Sequence, residues 1–331
     1  MSASLGVLIP TRNCAPLLRQ GMAALRSWLD LAEEVVVVDS ESTDGTVEFL
    51  QSELRHPNVR FLSHPPGLYQ SWNFGIRHLN TEFAYISTAG DAITREGIQS
   101  LVSAAQSLQC DVVISKPEIL NLEGQQADLV WPIDDIISSL RVSSPRKLSR
   151  VEALVFAWVH GTDALTGSCA SDLFRSESLK RFPFPTEFGG AGDGAWGVMH
   201  AAQVAWAVVP GRVSRFVRHP ATPGGISRPA QRETKRMDIV MREAVSRWRQ
   251  TGAVTEEELA RAGWPEVGDT FTAWLHAKLE FDACRRAKWP WSINPLAWRI
   301  RSRRQKARHR LDALKTLVLN GASASAVSSP G

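Results

Sequence analysis

The sequence predicts an α/β domain with a mixed, mostly parallel sheet and helices on both faces, followed by a helical extension. Short apolar strands alternate with helices of apolar periodicity up to about residue 220, which is the rhythm of a right-handed parallel sheet. The four valines at 35–38 are typical of a strand buried on both faces. Beyond that point the strands cease, and helices with a basic surplus follow.

The predicted elements follow one another in a regular order. The strands are Leu5–Ile9, Val35–Val38, Val59–Leu62, Phe83–Ser87, Asp111–Ile114 and Val204–Val209. The helices between them are Ala15–Trp28, Thr46–Leu54, Ser71–Leu79, Thr94–Leu108 and Ala191–Gln203. Residues 115–150 are less regular and predict an extended hairpin or loop. Residues 221–319 predict the helical extension, and the small, polar residues 320–331 predict a disordered tail.

Composition and charge narrow the class of protein. With 44% hydrophobic and 22% charged residues, the chain has the make-up of a globular protein, and no apolar run approaches the roughly 20 residues that span a bilayer. Four scattered cysteines without a CxxC pair, and a start without a signal peptide, predict a reduced, cytoplasmic protein. Residues 221–331 carry a net charge of +9 and residues 1–220 one of −5, so we expect catalytic acids in the first part and an acidic partner surface against the second.

The segment after the valine strand predicts a ligand site. Acids and hydroxyls fill residues 39–45, whose sequence is DSESTDG. In open α/β sheets, ligands bind at the carboxyl ends of the strands. A carboxylate at that edge accepts hydrogen bonds from a base edge or from ribose hydroxyls. The alternative is a turn that only caps the following helix.

Four motifs, in this order and spacing, resemble the inverting family 2 glycosyltransferases of the nucleotide-sugar-binding GT-A fold. They read IPTRN, VVVDSESTDGT, GLYQSWNFGI and GAGDGAW. The resemblance covers about residues 5 to 220, so residues 1–220 are identified as the nucleotide-sugar-binding and catalytic domain. It implies that Pro10, Thr11 and Asn13 shape the first loop over the nucleotide.

The same resemblance assigns the base pocket. Asp39 accepts the N3–H of uracil, or its equivalent in another base. Thr43, Asp44 and Gly45 close the pocket around base and ribose. Asn73, in the third motif, positions the nucleotide or the loop, although a helix-face residue without a role fits the pattern as well.

The metal motif is where the chain departs from the family. Most members carry Asp-x-Asp after the fourth strand, because two carboxylates hold a divalent cation against the sugar diphosphate. This chain reads STAGD at 87–91, which leaves Asp91 as the single carboxylate. The resemblance implies Mn²⁺ or Mg²⁺ at Asp91, with His219 as a further ligand or phosphate contact. A helix cap for Asp91 and an ordinary surface position for His219 are the alternatives.

The fourth motif implies the catalytic base. An acid at Asp193 deprotonates the acceptor hydroxyl for in-line attack on the anomeric carbon, and the flanking glycines leave room for an acceptor. A plain helix cap fits Asp193 too. Trp196 is either a stacking platform for the acceptor or a core residue.

A basic and aromatic segment at 288–310 is typical of contact with an anionic membrane surface. It holds Trp289, Trp291 and Trp298, with six basic residues in 301–310. Peripheral contact with the inner membrane surface is therefore expected, whereas no motif indicates nucleic acid. A solvated helical appendage or a dimer element is the alternative, and the oligomeric state stays open.

These observations predict an inverting, hexosyltransferase-type enzyme. It would take a nucleotide-diphosphate sugar as donor and a glycan or lipid-linked hydroxyl as acceptor, in polysaccharide or glycolipid synthesis at the cell envelope. Because the metal motif contains a single carboxylate, Asp91, one alternative stays open. It is a non-catalytic nucleotide-sugar-binding domain that acts as an assembly or regulatory partner.

Overall fold

The computed structural model describes residues 4–121, 124–126, 131–161, 165, 169–217, 236–286 and 295–327. The strands are β1 (Leu5–Thr11), β2 (Glu34–Asp39), β3 (Val59–Ser63), β4 (Phe83–Ile86), β5 (Ala92–Ile93), β6 (Val112–Leu120), β7 (Arg146–Lys147), β8 (Asp172–Arg175) and β9 (Trp206–Val217). The helices of the sheet domain are α1 (Ala15–Arg26), α2 (Thr46–Glu53), α3 (Leu68–His78), α4 (Arg95–Ser107), α5 (Pro132–Leu140), α6 (Arg150–Val159), α7 (Ser176–Arg181) and α8 (Gly192–His200). Those of the extension are α9 (Met237–Thr251), α10 (Glu256–Arg261), α11 (Glu266–Arg286) and α12 (Pro295–Val327).

The strands form one mixed sheet in the order β3-β2-β1-β4-β8-β6-β9-β5, with β7 paired to β9. Strands β1 to β4 are mutually parallel, and β8 runs antiparallel between β4 and β6. The predicted architecture is therefore confirmed. Because β1, β2 and β3 are in register at Thr11, Asp39 and Ser63, these three residues meet at one edge of the sheet.

The valine strand is buried on both faces, as its sequence predicts. All four valines of 35–38 have no exposed surface. Val35 and Val37 pack with Trp28 in the core under α1 and α4, while Val36 and Val38 face the other core, which includes Trp72. Each side of β2 thus anchors one helical layer, which fixes the position of its carboxyl end.

The helical extension packs on the second of these cores. Trp248 of α9 and Phe271 of α11 belong to the same apolar cluster as Trp158 of α6. Lys315 of α12 is buried and donates to Asp135 of α5 at 2.6 Å, whose carboxylate also contacts His160 at 2.7 Å. None of the helices described is both long and apolar enough to span a membrane.

Two segments differ from the expectations. In the described part of residues 115–150, an antiparallel bridge joins Leu120 at the end of β6 to Gln126, as in a hairpin, but helix α5 and strand β7 follow where no regular element is expected. Helix α5 is amphipathic, since Ile133 and Ile136 are buried and the neighbouring acid Asp134 bonds the main-chain N–H of Trp131 at its start. Helix α12 continues to Val327, so residues 320–327 are helical rather than disordered; alanine-rich sequence extends a helix that is already packed.

Candidate functional site

A cleft of about 440 Å³ lies at the carboxyl ends of β1 to β4. Its walls include Pro10 and Thr11 from the end of β1, Ser40 after β2, Gly67 and Trp72 from the start of α3, and Thr88 after β4. This is the edge at which ligands bind in open α/β sheets. Pro10 and Thr11, both expected at a nucleotide, therefore lie in the cleft wall.

Asp39 is held rigidly at the end of β2, beside this cleft. Its Oδ1 accepts from the hydroxyls of Thr11 at 2.9 Å and Ser42 at 2.6 Å, and its Oδ2 accepts from the main-chain N–H of Ser42 at 2.8 Å. The residue is only 8% exposed. A carboxylate has about four lone-pair sites, so Oδ2 keeps capacity for one more donor, such as a base N–H.

Asn13, Thr43 and Asp44 join the loops after β1 and β2. The Asn13 side-chain oxygen accepts from the N–H of Thr43 at 2.8 Å. Asp44 accepts from the N–H of Ala15 at 3.0 Å, in the first turn of α1, and from the Thr46 hydroxyl and N–H. The Thr46 hydroxyl bond leads the effects that lower the pKa of Asp44. Their polar atoms thus fasten the pocket's loops to each other.

Gly45 completes this turn with a φ of +82°, a conformation that favours glycine. The turn-and-cap interpretation of 43–46 is therefore part of the structure. It does not compete with ligand binding by Asp39, because the capping contacts use Asp44.

Both polar atoms of the Asn73 side-chain amide form hydrogen bonds to the protein main chain. Its Nδ2 donates to the carbonyl of Phe184 at 2.8 Å, and its Oδ1 accepts from the N–H of the same residue at 2.9 Å. Of the two roles expected for Asn73, the structure favours positioning a loop. The loop in question is the segment that leads into α8.

Asp91 lies just past β4, next to the cleft residue Thr88. It accepts from the Thr88 hydroxyl at 2.6 Å and from the main-chain N–H of Val217 at 3.3 Å. Burial, which outweighs these two bonds, raises the pKa of Asp91 to about 6. His219 lies outside the described residues, two positions beyond Val217.

Binding of a divalent cation would depend on Asp91 as the carboxylate ligand. The described parts of the chain contain no group of three His, Cys, Asp or Glu side chains able to hold a metal. Mg²⁺ and its like are nevertheless often held by one or two carboxylates when substrate phosphates and water supply the other oxygens. A desolvated carboxylate such as Asp91, with no cationic partner among the described residues, suits that arrangement.

Asp193 lies in the first turn of α8. Its Oδ1 accepts from the N–H of Gly194 at 2.8 Å, and the Tyr69 hydroxyl bonds its carboxylate. Burial raises the pKa of Asp193, while these bonds oppose the rise. Tyr69 follows Leu68, a cleft residue, so the first turn of α3 connects the cleft with Asp193.

Gly192 is required for the contact between Tyr69 and Asp193. A Cβ at Gly192 would come within 2.5 Å of the Tyr69 ring and 2.7 Å of the Pro185 carbonyl. Only glycine lets the start of α8 approach Tyr69 so closely. The glycines of GAGDGAW thus shape the acid's surroundings as well as leave space.

Trp196 is a core residue. It has no exposed surface, and its indole N–H donates to the Phe182 carbonyl at 2.6 Å. Its ring packs against Phe174, Phe184 and Trp206. Of the two interpretations offered by the sequence, the stacking platform is therefore excluded.

Three residues of the site were not identified from the sequence. Trp72 lines the cleft with an indole N–H that has no hydrogen-bond partner among the described residues, Tyr69 bonds Asp193, and Asp172 is a wholly buried acid in β8. Tyr69 and Trp72 resemble ordinary core positions of a helix. Asp172 resembles an ordinary polar residue between Ser171 and Leu173, so the sequence gives no signal that sets it apart.

Comparison with known proteins agrees with this geometry. Residues 6–151 match the family model described as glycosyl transferase family 2. The structure resembles TarS from S. aureus in complex with UDP-GlcNAc, at a TM-score of 0.57 and 15% identity over 94% of this chain and 90% of that one. It also resembles the mannosyltransferase PcManGT from Pyrobaculum calidifontis in complex with GDP-Man and Mn²⁺, at 0.50 and 18% over 98% and 87%.

No curated protein matches the chain. The structural likenesses are below 25% identity and establish the fold, and the family match covers β1 to the start of α6. Together with the mixed sheet and the cleft at its edge, these findings show a GT-A-like fold in which residues 6–151 match the glycosyl transferase family 2 model.

Proposed function

We propose that this chain is an inverting glycosyltransferase that moves a hexose from a nucleotide-diphosphate donor to a hydroxyl. One observation carries the proposal: the first turn of α3 joins a nucleotide-sized cleft, through Leu68, to a buried acid, through the Tyr69–Asp193 contact. Sugar transfer requires the donor site and the catalytic base to be adjacent, because the base must reach an acceptor hydroxyl beside the anomeric carbon.

Binding of the donor follows from the cleft. The free capacity of Asp39 Oδ2 accepts a base N–H, and the loop held by Asn13 and Thr43 covers the ribose. Pro10 and Thr11 form the wall beside it. UDP sugars are the first choice, supported by the UDP-GlcNAc complex of TarS, and GDP sugars are the second, supported by the GDP-Man complex of PcManGT.

The diphosphate lies toward Asp91. Asp91 is the residue that would hold Mn²⁺ or Mg²⁺, with the Thr88 hydroxyl fixing its orientation and His219 as a further candidate ligand. Such a cation, when bound, neutralises the negative charge that develops on the leaving diphosphate.

Asp193 acts as the general base. Burial raises the pKa of Asp193 toward neutral pH, while hydrogen bonds from Gly194 and Tyr69 stabilise its charged form. A carboxylate whose pKa is raised in this way accepts a hydroxyl proton more readily than an ordinary surface aspartate. The attacking oxygen enters opposite the leaving diphosphate, so the anomeric configuration inverts.

The acceptor is a glycan or lipid-linked hydroxyl at the cell envelope, and the start of α12 is the membrane contact. Leu296 and Trp298 are 48% and 60% exposed there, and Arg299, Arg301 and Lys306 are exposed beside them. No acid interrupts residues 295–311. Exposed Trp and Leu with several cations suit an anionic lipid surface.

A ligand screen followed by turnover tests the function. Nucleotide diphosphates and their sugars are added to the full chain with Mn²⁺, and the melting temperature is recorded. A ligand at a hundred times its Kd stabilises the folded state by about 2.7 kcal/mol, so one nucleotide series should raise the melting temperature clearly.

Release of the free nucleotide diphosphate from the best donor is then measured with Mn²⁺ and with EDTA. Turnover that EDTA abolishes supports the enzyme. Donor binding without any turnover, with or without acceptor extracts, would instead indicate the binding-only domain, and a screen without any stabilising nucleotide would contradict both.

A further inference from the structure

Asp172 is a buried acid to which the proposed reaction assigns no role. It has no exposed surface, and neither carboxylate oxygen has a hydrogen-bond partner among the described residues. Buried polar groups are nearly always paired, and an acid in such a place is expensive to keep. An unpaired buried acid in the middle of a sheet therefore points to a functional reason.

Asp172 lies on a strand that packs against the helix carrying Asp193. Asp172 is the first residue of β8, paired with Ile114 of β6, and Phe174 lies two residues along on the same face of the sheet. The Phe174 ring packs on Trp196 of α8, with centroids 5.9 Å apart. Trp196 is three residues after Asp193, on the same side of the helix. The two acids thus lie at the starts of a strand and a helix that pack together.

The contacts of the two acids are unequal. Asp193 receives hydrogen bonds from the Gly194 N–H and the Tyr69 hydroxyl, whereas Asp172 receives none in the described structure. Burial, and then the charge on Asp193, raises the pKa of Asp172 well above its ordinary value. A single negative charge shared by the pair is therefore more stable on Asp193.

The other titratable groups facing Asp172 stay neutral. Tyr85 of β4 and Cys169, just before β8, are both fully buried, which raises the pKa of each well above its usual value. Asp91 also contributes to the field at Tyr85 and Cys169, after burial. Among the described neighbours, the remaining titratable groups are therefore Asp91 and Asp193.

We propose that Asp172 and Asp193 form a carboxyl pair carrying one negative charge, in which Asp172 is a positioning residue that holds the proton and confines the charge to Asp193. The proposal rests on the function of Asp193 as base. The acceptor proton moves to Asp193, and the proton of Asp172 stays where it is. Ionisation of Asp172 at alkaline pH places a second charge behind the base, where it opposes the anionic donor.

The test compares the full chain with Asp172→Asn, which keeps the shape and cannot ionise. Because the folded pKa of Asp172 is raised, ionisation of this residue in the unfolded chain favours unfolding of the wild type increasingly as pH rises. We expect Asp172→Asn to melt higher by at least about 2 °C at pH near 8, with a difference that vanishes toward pH 4. Asp91 titrates identically in both proteins and cancels.

Asp111→Asn is the matched control. That carboxylate accepts from Ser178 and from the Ala205 N–H, so its replacement should lower the melting temperature. An infrared band of a neutral carboxylic acid should persist near pH 8 in the wild type and disappear in Asp172→Asn. If Asp172→Asn melts lower and the band is absent from the wild type, the pair is overturned.

Turnover separates this proposal from the proposed function. The alkaline limb of the kcat–pH profile should be present in the wild type and lost in Asp172→Asn. A stability difference and an infrared band in a chain without turnover would uphold the pair and overturn the transferase. Turnover with an alkaline limb that Asp172→Asn leaves in place would uphold the transferase and overturn the pair.

Discussion

Asn73 and Phe184 are joined by two hydrogen bonds, one to each side of the Phe184 peptide, across 111 positions of sequence. Asn73 belongs to α3, whose first turn borders the cleft, and Phe184 belongs to the segment that leads to Asp193. The pair therefore ties the cleft to the segment that carries the proposed base. Both partners are buried, which makes the two bonds costly to lose.

Replacement of Asn73 by Asp should weaken the fold. The substitution keeps the acceptor for the Phe184 N–H but sets an oxygen against the Phe184 carbonyl, at a cost of about 1–3 kcal/mol in the free energy of unfolding. Urea denaturation measures it. Asn320→Asp, at an exposed position, is the control and should leave the free energy of unfolding nearly unchanged. Equal stability of Asn73→Asp and wild type would contradict the assigned role.

Replacement of Asp39 by Asn should reduce nucleotide affinity. A base N–H then faces an amide in place of a carboxylate, and a charge-assisted hydrogen bond contributes about 1.5–3 kcal/mol, so Kd should rise by tenfold or more. Calorimetric titration with UDP is the measurement, with the melting temperature of the free protein as control. A Kd within twofold of wild type would exclude Asp39 as the base contact.

Cation binding should depend on the ionisation of Asp91. Its pKa of about 6 lies above the ordinary value, so the ionised form is lost as pH falls through 6. Mn²⁺ affinity in the presence of UDP should fall roughly tenfold per pH unit below 6 and be constant above 7. Asp91→Asn should bind weakly at every pH. A wild-type affinity that is the same at pH 5 and pH 7.5 would refute this dependence.

The start of α12 should bind anionic lipid. Reversal of Arg299, Arg301 and Lys306 to Glu removes three cations, each contributing about 1 kcal/mol near an anionic surface, so binding to phosphatidylglycerol vesicles should fall at least about a hundredfold. Vesicle sedimentation measures it. Reversal of the exposed residues Arg55, Arg77 and Arg261 is the control. Equal losses in both variants would indicate a general charge effect and contradict a localised membrane contact.

The parts of the fold that could be predicted are those with local patterns. Four consecutive valines and a following acid are sufficient to predict β2 and the place of Asp39, because burial and strand polarity are properties of neighbouring residues. The sequence did not predict helix α5 because its two acids, among them the capping residue Asp134, interrupt the short apolar pattern formed by Ile133 and Ile136. The helical part of the tail was missed because its small, polar composition also suits a disordered segment.

The long-range contacts of the site lie beyond such patterns. Asn73 is recognisable as part of a motif, but its partner Phe184 is brought to it only by packing of the sheet's helical face. Asp172 reads as an ordinary polar residue between Ser171 and Leu173. Only the tertiary structure shows that its oxygens have no partner in the part of the chain that is described and that its strand packs against α8.

The replacement of Asp193 by Ala tests the central claim most directly. Two quantities are measured on the same preparations: kcat for sugar release from the donor found in the screen, and Kd for its nucleotide diphosphate. Loss of a general base should lower kcat by about 10²–10⁴-fold, while Kd stays within about twofold because Asp39 and the cleft are untouched. A kcat equal to that of the wild type would contradict the assignment of Asp193 as the base.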